Sequence, residues 1–91
     1  MATIAVFVKI DEERIIDSLR EACEKLDGAE GELVLDFSSV RRIDPGAVKT
    51  MEDLVISAES KAVKIILRGI GVDIYKVLKL VRLTQRLSFV N

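Results

Sequence analysis

The sequence predicts a single α/β domain in which about four strands, largely parallel, alternate with three helices in the order β-α-β-α-β-α-β. Three observations carry this prediction. Short runs rich in β-branched and other aliphatic residues recur along the chain. Between them lie segments whose apolar residues repeat at three- and four-residue spacing, the period of a helix with one buried face. The connections are short, and a helical crossover is how consecutive parallel strands are joined. At 91 residues the chain suits one hydrophobic core and no second, so residues 1–91 are read as one domain.

The elements follow in order. Thr3 to Ile10 carries Ile4, Val6, Val8 and Ile10 and reads as a first strand. Asp11 is placed to cap a helix whose first turn holds Glu12 and Glu13. Ile15, Ile16, Leu19, Ala22, Cys23 and Leu26 give that helix its apolar face, and Gly28 marks its end. Glu32 to Phe37 is a short, continuously apolar run, as in a parallel strand buried on both sides. Ser38 to Arg42 is a loop with Val40 as an apolar plug. In Ile43-Asp44-Pro45-Gly46, Asp44 is a good N-cap and Pro45 fits the first helical position, where its missing N–H costs nothing. The second helix presents Ala47, Val48, Met51, Leu54, Val55 and Ala58. Ala62 to Leu67 is the third strand, and Gly69-Ile70-Gly71 a turn. Asp73 is expected to cap a third helix with Ile74, Val77, Leu78 and Val81 on its apolar face and Lys76, Lys79 and Arg82 toward its end. Leu87 to Val90 closes the chain as a last strand.

Composition excludes several function classes. Lys+Arg total 14 and Asp+Glu 15, a net charge of −1, which is not the basic excess of a nucleic-acid or anionic-membrane binder. The chain has no His, so imidazole catalysis and His metal sites are excluded. The single Cys forms no intrachain disulfide. No apolar run reaches the roughly 20 residues needed to cross a bilayer. The opening Met1–Val8 lacks a basic n-region and a cleavage site, so no signal peptide is expected. A cytoplasmic location with a reduced Cys23 is the expectation.

Few residues suggest chemistry of their own. Cys23 lies on an apolar helix face and reads as a core residue. Gly69-Ile70-Gly71 precedes a helix as a phosphate-binding loop would, but position 74 is Ile where a third glycine would stand, and a tight turn fits better. Asp36 and Asp44 flank one loop. Asp44 is accounted for as a cap, and Asp36 as an acceptor for loop N–H groups. Neither needs a catalytic role, so no catalysis, metal or cofactor is expected. Arg41 and Arg42 are equally well read as solvated charges or as contacts to an acidic partner. The basic end of the third helix, with Tyr75 and Arg86, reads as a solvated face.

The stretch Leu33-Val34-Leu35-Asp36-Phe37-Ser38-Ser39-Val40-Arg41-Arg42-Ile43-Asp44 resembles the centre of a STAS domain, the fold of bacterial anti-sigma factor antagonists. Ile65 to Gly71 resembles that family's next strand and turn, and Val72 to Leu83 its third helix. The resemblance spans about two-thirds of the chain. It departs from the pattern in two ways. After Ile-Asp the family carries Ser-Ser-Gly-Leu-Gly, whose second Ser a partner kinase phosphorylates; here the positions read Pro45-Gly46-Ala47-Val48-Lys49, so the phosphoacceptor position is Gly46 and has no hydroxyl. The family also usually has two strands before the first helix and a final helix beyond the last strand. This chain matches neither, an arrangement expected to leave sheet edges open for pairing.

The resemblance implies a non-catalytic protein-interaction module. Its partner surface would be the loop and the start of the second helix: Ser38, Ser39, Arg41, Arg42, Asp44, Pro45, Gly46, Ala47, Lys49 and Thr50. It implies a kinase-like anti-sigma factor or another STAS protein as partner. An alternative is the ATPase subunit of a lipid-transporting ABC complex, where short STAS subunits also occur. Without a hydroxyl at Gly46, binding would be constitutive or controlled elsewhere, with Ser38, Ser39 and Thr50 the nearest hydroxyls. Weak nucleotide binding and assembly into a homo-oligomer are further readings, the first disfavoured by the lack of a P-loop.

Overall fold

The computed structural model describes residues 6–29 and 31–90. It contains the expected alternation: β1 (Val6–Lys9), α1 (Ile15–Lys25), β2 (Glu32–Asp36), α2 (Pro45–Ser60), β3 (Lys64–Arg68), α3 (Val72–Leu80) and β4 (Ser88–Val90). Short 3₁₀ turns at Glu12–Arg14 and Leu26–Gly28 bracket α1. Residues Thr3 to Ala5 of the expected first strand lie outside the described residues.

The four strands form one sheet in the order β1-β2-β3-β4, every neighbouring pair parallel. Consecutive order through right-handed crossovers puts all three helices on the same face. The strand residues confirm this. Val8, Leu33, Leu35, Ile65 and Leu67 join the helices' Leu19, Ala22, Met51, Leu54, Val55, Ala58, Ile74 and Leu78 in one core cluster. The alternate strand residues Phe7, Val34 and Ile66 stand outside that cluster. In β2, burial alternates residue by residue. The apolar run that suggested a strand covered on both sides therefore belongs to a strand covered on one.

Local corrections have local causes. Phe37 is fully buried but follows β2, with its N–H donating to the Arg68 carbonyl at 2.8 Å. Ala62 is not in a strand: it has φ 57° and terminates α2. The N-cap of α3 is Gly71, and Asp73 sits inside the first turn, where its charge faces the positive helix end without capping it. Val81 follows the helix and is exposed. Cys23 is half-buried against the core, as its helix position implies.

A candidate interaction surface at the carboxyl ends of the strands

The loop after β2 is held from three sides. Val40 N–H donates to the Phe37 carbonyl at 2.9 Å, closing a tight turn, and its side chain plugs the core. Asp36 Oδ1 accepts the Ser38 N–H at 3.0 Å, the loop-ordering role expected of it. The carboxyl of Asp36 is held below the usual carboxylate range first by that N–H and then by the Ser38 hydroxyl. Partial burial opposes the shift, and the charges of Arg68 and Lys9 add to it. The third restraint reaches across the chain: Glu12 Oε1 accepts the Arg41 N–H at 3.2 Å. Ile10 N–H donates to the Asp36 carbonyl at 2.9 Å, so the exit of β1 is tied to the same place.

Gly69 completes the frame. Its φ is +72°, and a Cβ built there would stand 2.9 Å from Ser38 Cβ and 3.0 Å from Ser38 Cα. Only glycine fits both the conformation and the space. The Gly69-Ile70-Gly71 segment is thus a turn that seats the loop and then caps α3.

The start of α2 follows the sequence pattern. Asp44 Oδ1 accepts the Ala47 N–H at 2.7 Å, its carbonyl accepts Val48 N–H at 3.0 Å, and Pro45 opens the helix. Gly46 is exposed beside them. A Cβ there would lie 3.3 Å from Asp44 Oδ1 and 3.4 Å from Ile16 Cδ1, and the backbone is not left-handed. Thr50 Oγ1 donates to the Gly46 carbonyl at 2.9 Å. Lys49 pairs with Asp53 at 3.6 Å on the solvent side of the helix.

Of the residues the sequence singled out, Ser38, Ser39, Arg41, Arg42, Asp44, Pro45, Gly46 and Lys49 are exposed along this loop and first helical turn, and Thr50 is half-buried. Ala47 offers a partner almost no surface. It is 1% exposed and packs into the core, because it falls on the inward stripe of α2 with Met51 and Leu54. Neither Arg41 nor Arg42 has a carboxylate within 4 Å among the described residues, so both cations remain uncommitted.

Sequence reasoning missed the far wall of this surface. A shallow groove beside Gly46 is lined by Glu12, Glu13, Arg14, Ile15, Ile16 and Asp17 from the entry to α1, together with Asp44 and Ala47. Glu12 and Arg41 are 29 positions apart, and no local periodicity signals such a contact. In the sequence Asp11 reads as a cap and Glu12 and Glu13 as first-turn charges, and Asp11 does cap, accepting the Glu13 N–H at 3.0 Å. A second groove between Arg42, Ile43 and α3 residues Asp73, Ile74 and Val77 borders the opposite flank. The loop thus carries Arg41 and Arg42 beside a helix entry that is mostly acidic, with Glu12, Glu13, Asp17 and one cation, Arg14. The neighbouring cleft of about 630 Å³ mixes Lys9 and Arg14 with Asp11, Asp17 and Glu21, and Ser39 of the loop borders it. Among the described strands the order has no reversal, so these strands form no switch-point crevice of the kind that holds nucleotides in doubly wound folds.

A family model described as STAS domain matches residues 6–90. No curated protein and no solved structure matches the chain.

Proposed function

The chain belongs to the STAS domain family, and from that premise we propose that it is a non-catalytic docking module of the anti-sigma factor antagonist type. The surface it offers is the Ser38–Arg42 loop with the first turn of α2. One observation carries this reading: the loop's backbone is fastened by Asp36, Glu12 and the Gly69 contact, while the Arg41 and Arg42 side chains have no carboxylate partner among the described residues. A rigid, pre-formed surface loses little entropy on binding. Pro45 and Gly46 let a partner backbone come close, and Arg41 and Arg42 would steer an acidic partner surface and favour its encounter. The polar groups most suited to catalysis, Asp36 and Asp44, are spent on backbone N–H groups.

The partner fitting this reading is a kinase-like anti-sigma factor or another STAS protein in a cytoplasmic regulatory assembly. The absence of a hydroxyl at Gly46 makes the contact independent of phosphorylation there. The same absence suits the second reading, an accessory subunit on the ATPase of a lipid-transporting ABC complex. No helix among the described residues is long and apolar enough to cross a membrane, so that role would run through the ATPase.

The test is capture of partners from native lysate with the tagged chain, with G46D and G46W as controls, read by mass spectrometry. Recovery of a kinase-like anti-sigma factor or a STAS protein, lost with both substitutions, is the expected result. Recovery of an ATPase and its permease instead selects the second reading. Binding that survives both substitutions removes this surface from the interface.

A further inference from the structure

The helix-free face of the sheet carries a pattern of its own. Parallel pairing in register aligns its residues into three rows. The middle row is Phe7, Val34, Ile66 and Ser88. One flanking row is Glu32 and Lys64; the other is Lys9, Asp36, Arg68 and Val90. Phe7 is 50% exposed and Val90 49%, and Val34 and Ile66 are half-buried without touching the core. Parallel sheets are ordinarily covered on both faces. Among the described residues the helices cover one face only, and an apolar stripe runs along the other.

We propose that this face docks a second copy of the same chain, sheet against sheet, about a two-fold axis that runs along the strands between β2 and β3. The charge pattern selects both the occupant and the axis. Register partners lie at the same height along the strands, so rotation about that axis places each residue of β2 over its β3 partner in the other copy. Glu32 meets Lys64, Val34 meets Ile66, and Asp36 meets Arg68, each contact occurring twice, as an isologous interface requires. At the margins Phe7 meets the small Ser88, and the aliphatic stem of Lys9 covers the exposed Val90. The other in-plane two-fold, perpendicular to the strands, lays each strand over itself reversed. It would set Glu32 on Asp36 and Lys64 on Arg68, like on like. Facing sheets sit about 10 Å apart with strands near 30° to each other, which an axis bisecting that angle accommodates.

The face is small. Four strands about 4.8 Å apart, none longer than about 17 Å, give each copy a footprint on the order of 300 Å², below the roughly 800 Å² per partner of a stable interface. The dimer is therefore weak, with a dissociation constant on the order of 10–100 μM. It leaves the loop and the start of α2 free, so one dimer presents two copies of that surface.

Sedimentation equilibrium of the full chain at low ionic strength, from roughly 5 μM to roughly 500 μM, brackets that constant. The expected result is a rise from monomer to dimer mass. E32K and K64E should each weaken association at least about tenfold, because each sets like charges face to face. An equimolar mixture of the two should restore it, since position 32 of one variant then faces position 64 of the other with opposite charge. Circular dichroism of each variant, matching wild type, separates lost pairing from lost folding. A wild-type chain that stays monomeric throughout overturns the proposal. So does association that the single variants leave intact, which would assign it to the sheet edges, or a mixture that fails to recover. A monomer that binds vesicles of anionic lipid through this face would give the face to a membrane surface and overturn it equally.

Discussion

Two glycines on the same surface behave oppositely, and their surroundings say why. Gly69 is left-handed, and the atoms a Cβ would strike belong to Ser38, two of them backbone. G69A should cost at least about 2 kcal/mol, from the left-handed penalty plus overpacking. In a domain of this size that lowers the melting temperature on the order of 10 °C, which thermal denaturation reads directly. Gly46 has an ordinary backbone, and its nearest neighbours are the tips of Asp44 and Ile16, which can shift. G46S should therefore change stability by less than about 1 kcal/mol. It also restores a hydroxyl at the helix N-terminus, where a phosphate would be stabilised by the dipole. If the partner is a kinase-like anti-sigma factor, G46S incubated with it and ATP should gain one phosphate by intact mass and the wild type none. Ala47 shows the limit of reading a site by motif. Position in a pattern placed it on the binding surface; helical periodicity, already visible in the sequence, places it in the core.

The start of α2 was legible in the sequence, whereas the start of α3 and the ends of α2 and α3 were not. Asp44-Pro45 announces α2 because both residues act within a few positions of themselves. The ends of α2 and α3 use the same device without its usual residue. Val63 N–H donates to the Ala58 carbonyl and Ala62 N–H to Glu59; Leu83 N–H donates to Leu78 and Arg82 N–H to Lys79. Each is a Schellman closure, with Ala62 at φ 57° and Arg82 at φ 62° in the position glycine ordinarily holds. The apolar residues at the motif's positions, Val63 and Ala58 in one and Leu83 and Leu78 in the other, are all buried in the core cluster. Packing thus enforces a conformation that the local residues disfavour, which is why Ala62 reads as strand in the sequence. The strain makes a prediction. A62G and R82G should each stabilise the domain, by up to about 1 kcal/mol once the added entropy of an unfolded glycine is set against the relief. Urea denaturation with an unchanged slope would show it.

Across the whole molecule, the β-α alternation was legible because each element's period is local, whereas the sidedness of the sheet was not. A run such as Leu33-Val34-Leu35 is equally apolar whether both faces are covered or one. Only the strand order decides, and order is a property of the assembled chain. The same holds for the links that close the structure. Arg86, just before β4, donates from Nε to Glu59 Oε2 at 2.9 Å and from Nη2 to Oε1, gripping the last turn of α2 across 27 positions. Those hydrogen bonds hold the Glu59 carboxyl below its ordinary range, the Arg86 charge adding to them, while Ser38 does the same for Asp36. A depressed carboxyl pKa means that the unfolded chain takes up protons first. Both contributions are thus complete above the unfolded values, about 4.3 for Glu and 3.9 for Asp, and are lost as pH falls through the lower folded values. Stability should be flat through neutrality and fall below about pH 4.3. E59Q should remove part of that acid slope while leaving the rest to Asp36, and D36N should do the converse. Urea midpoints measured from neutral pH downward would resolve the two. An acid slope unchanged in both variants would mean that neither carboxylate couples proton uptake to folding, and that the contacts seen at these two sites are as strong in the protonated state as in the charged one.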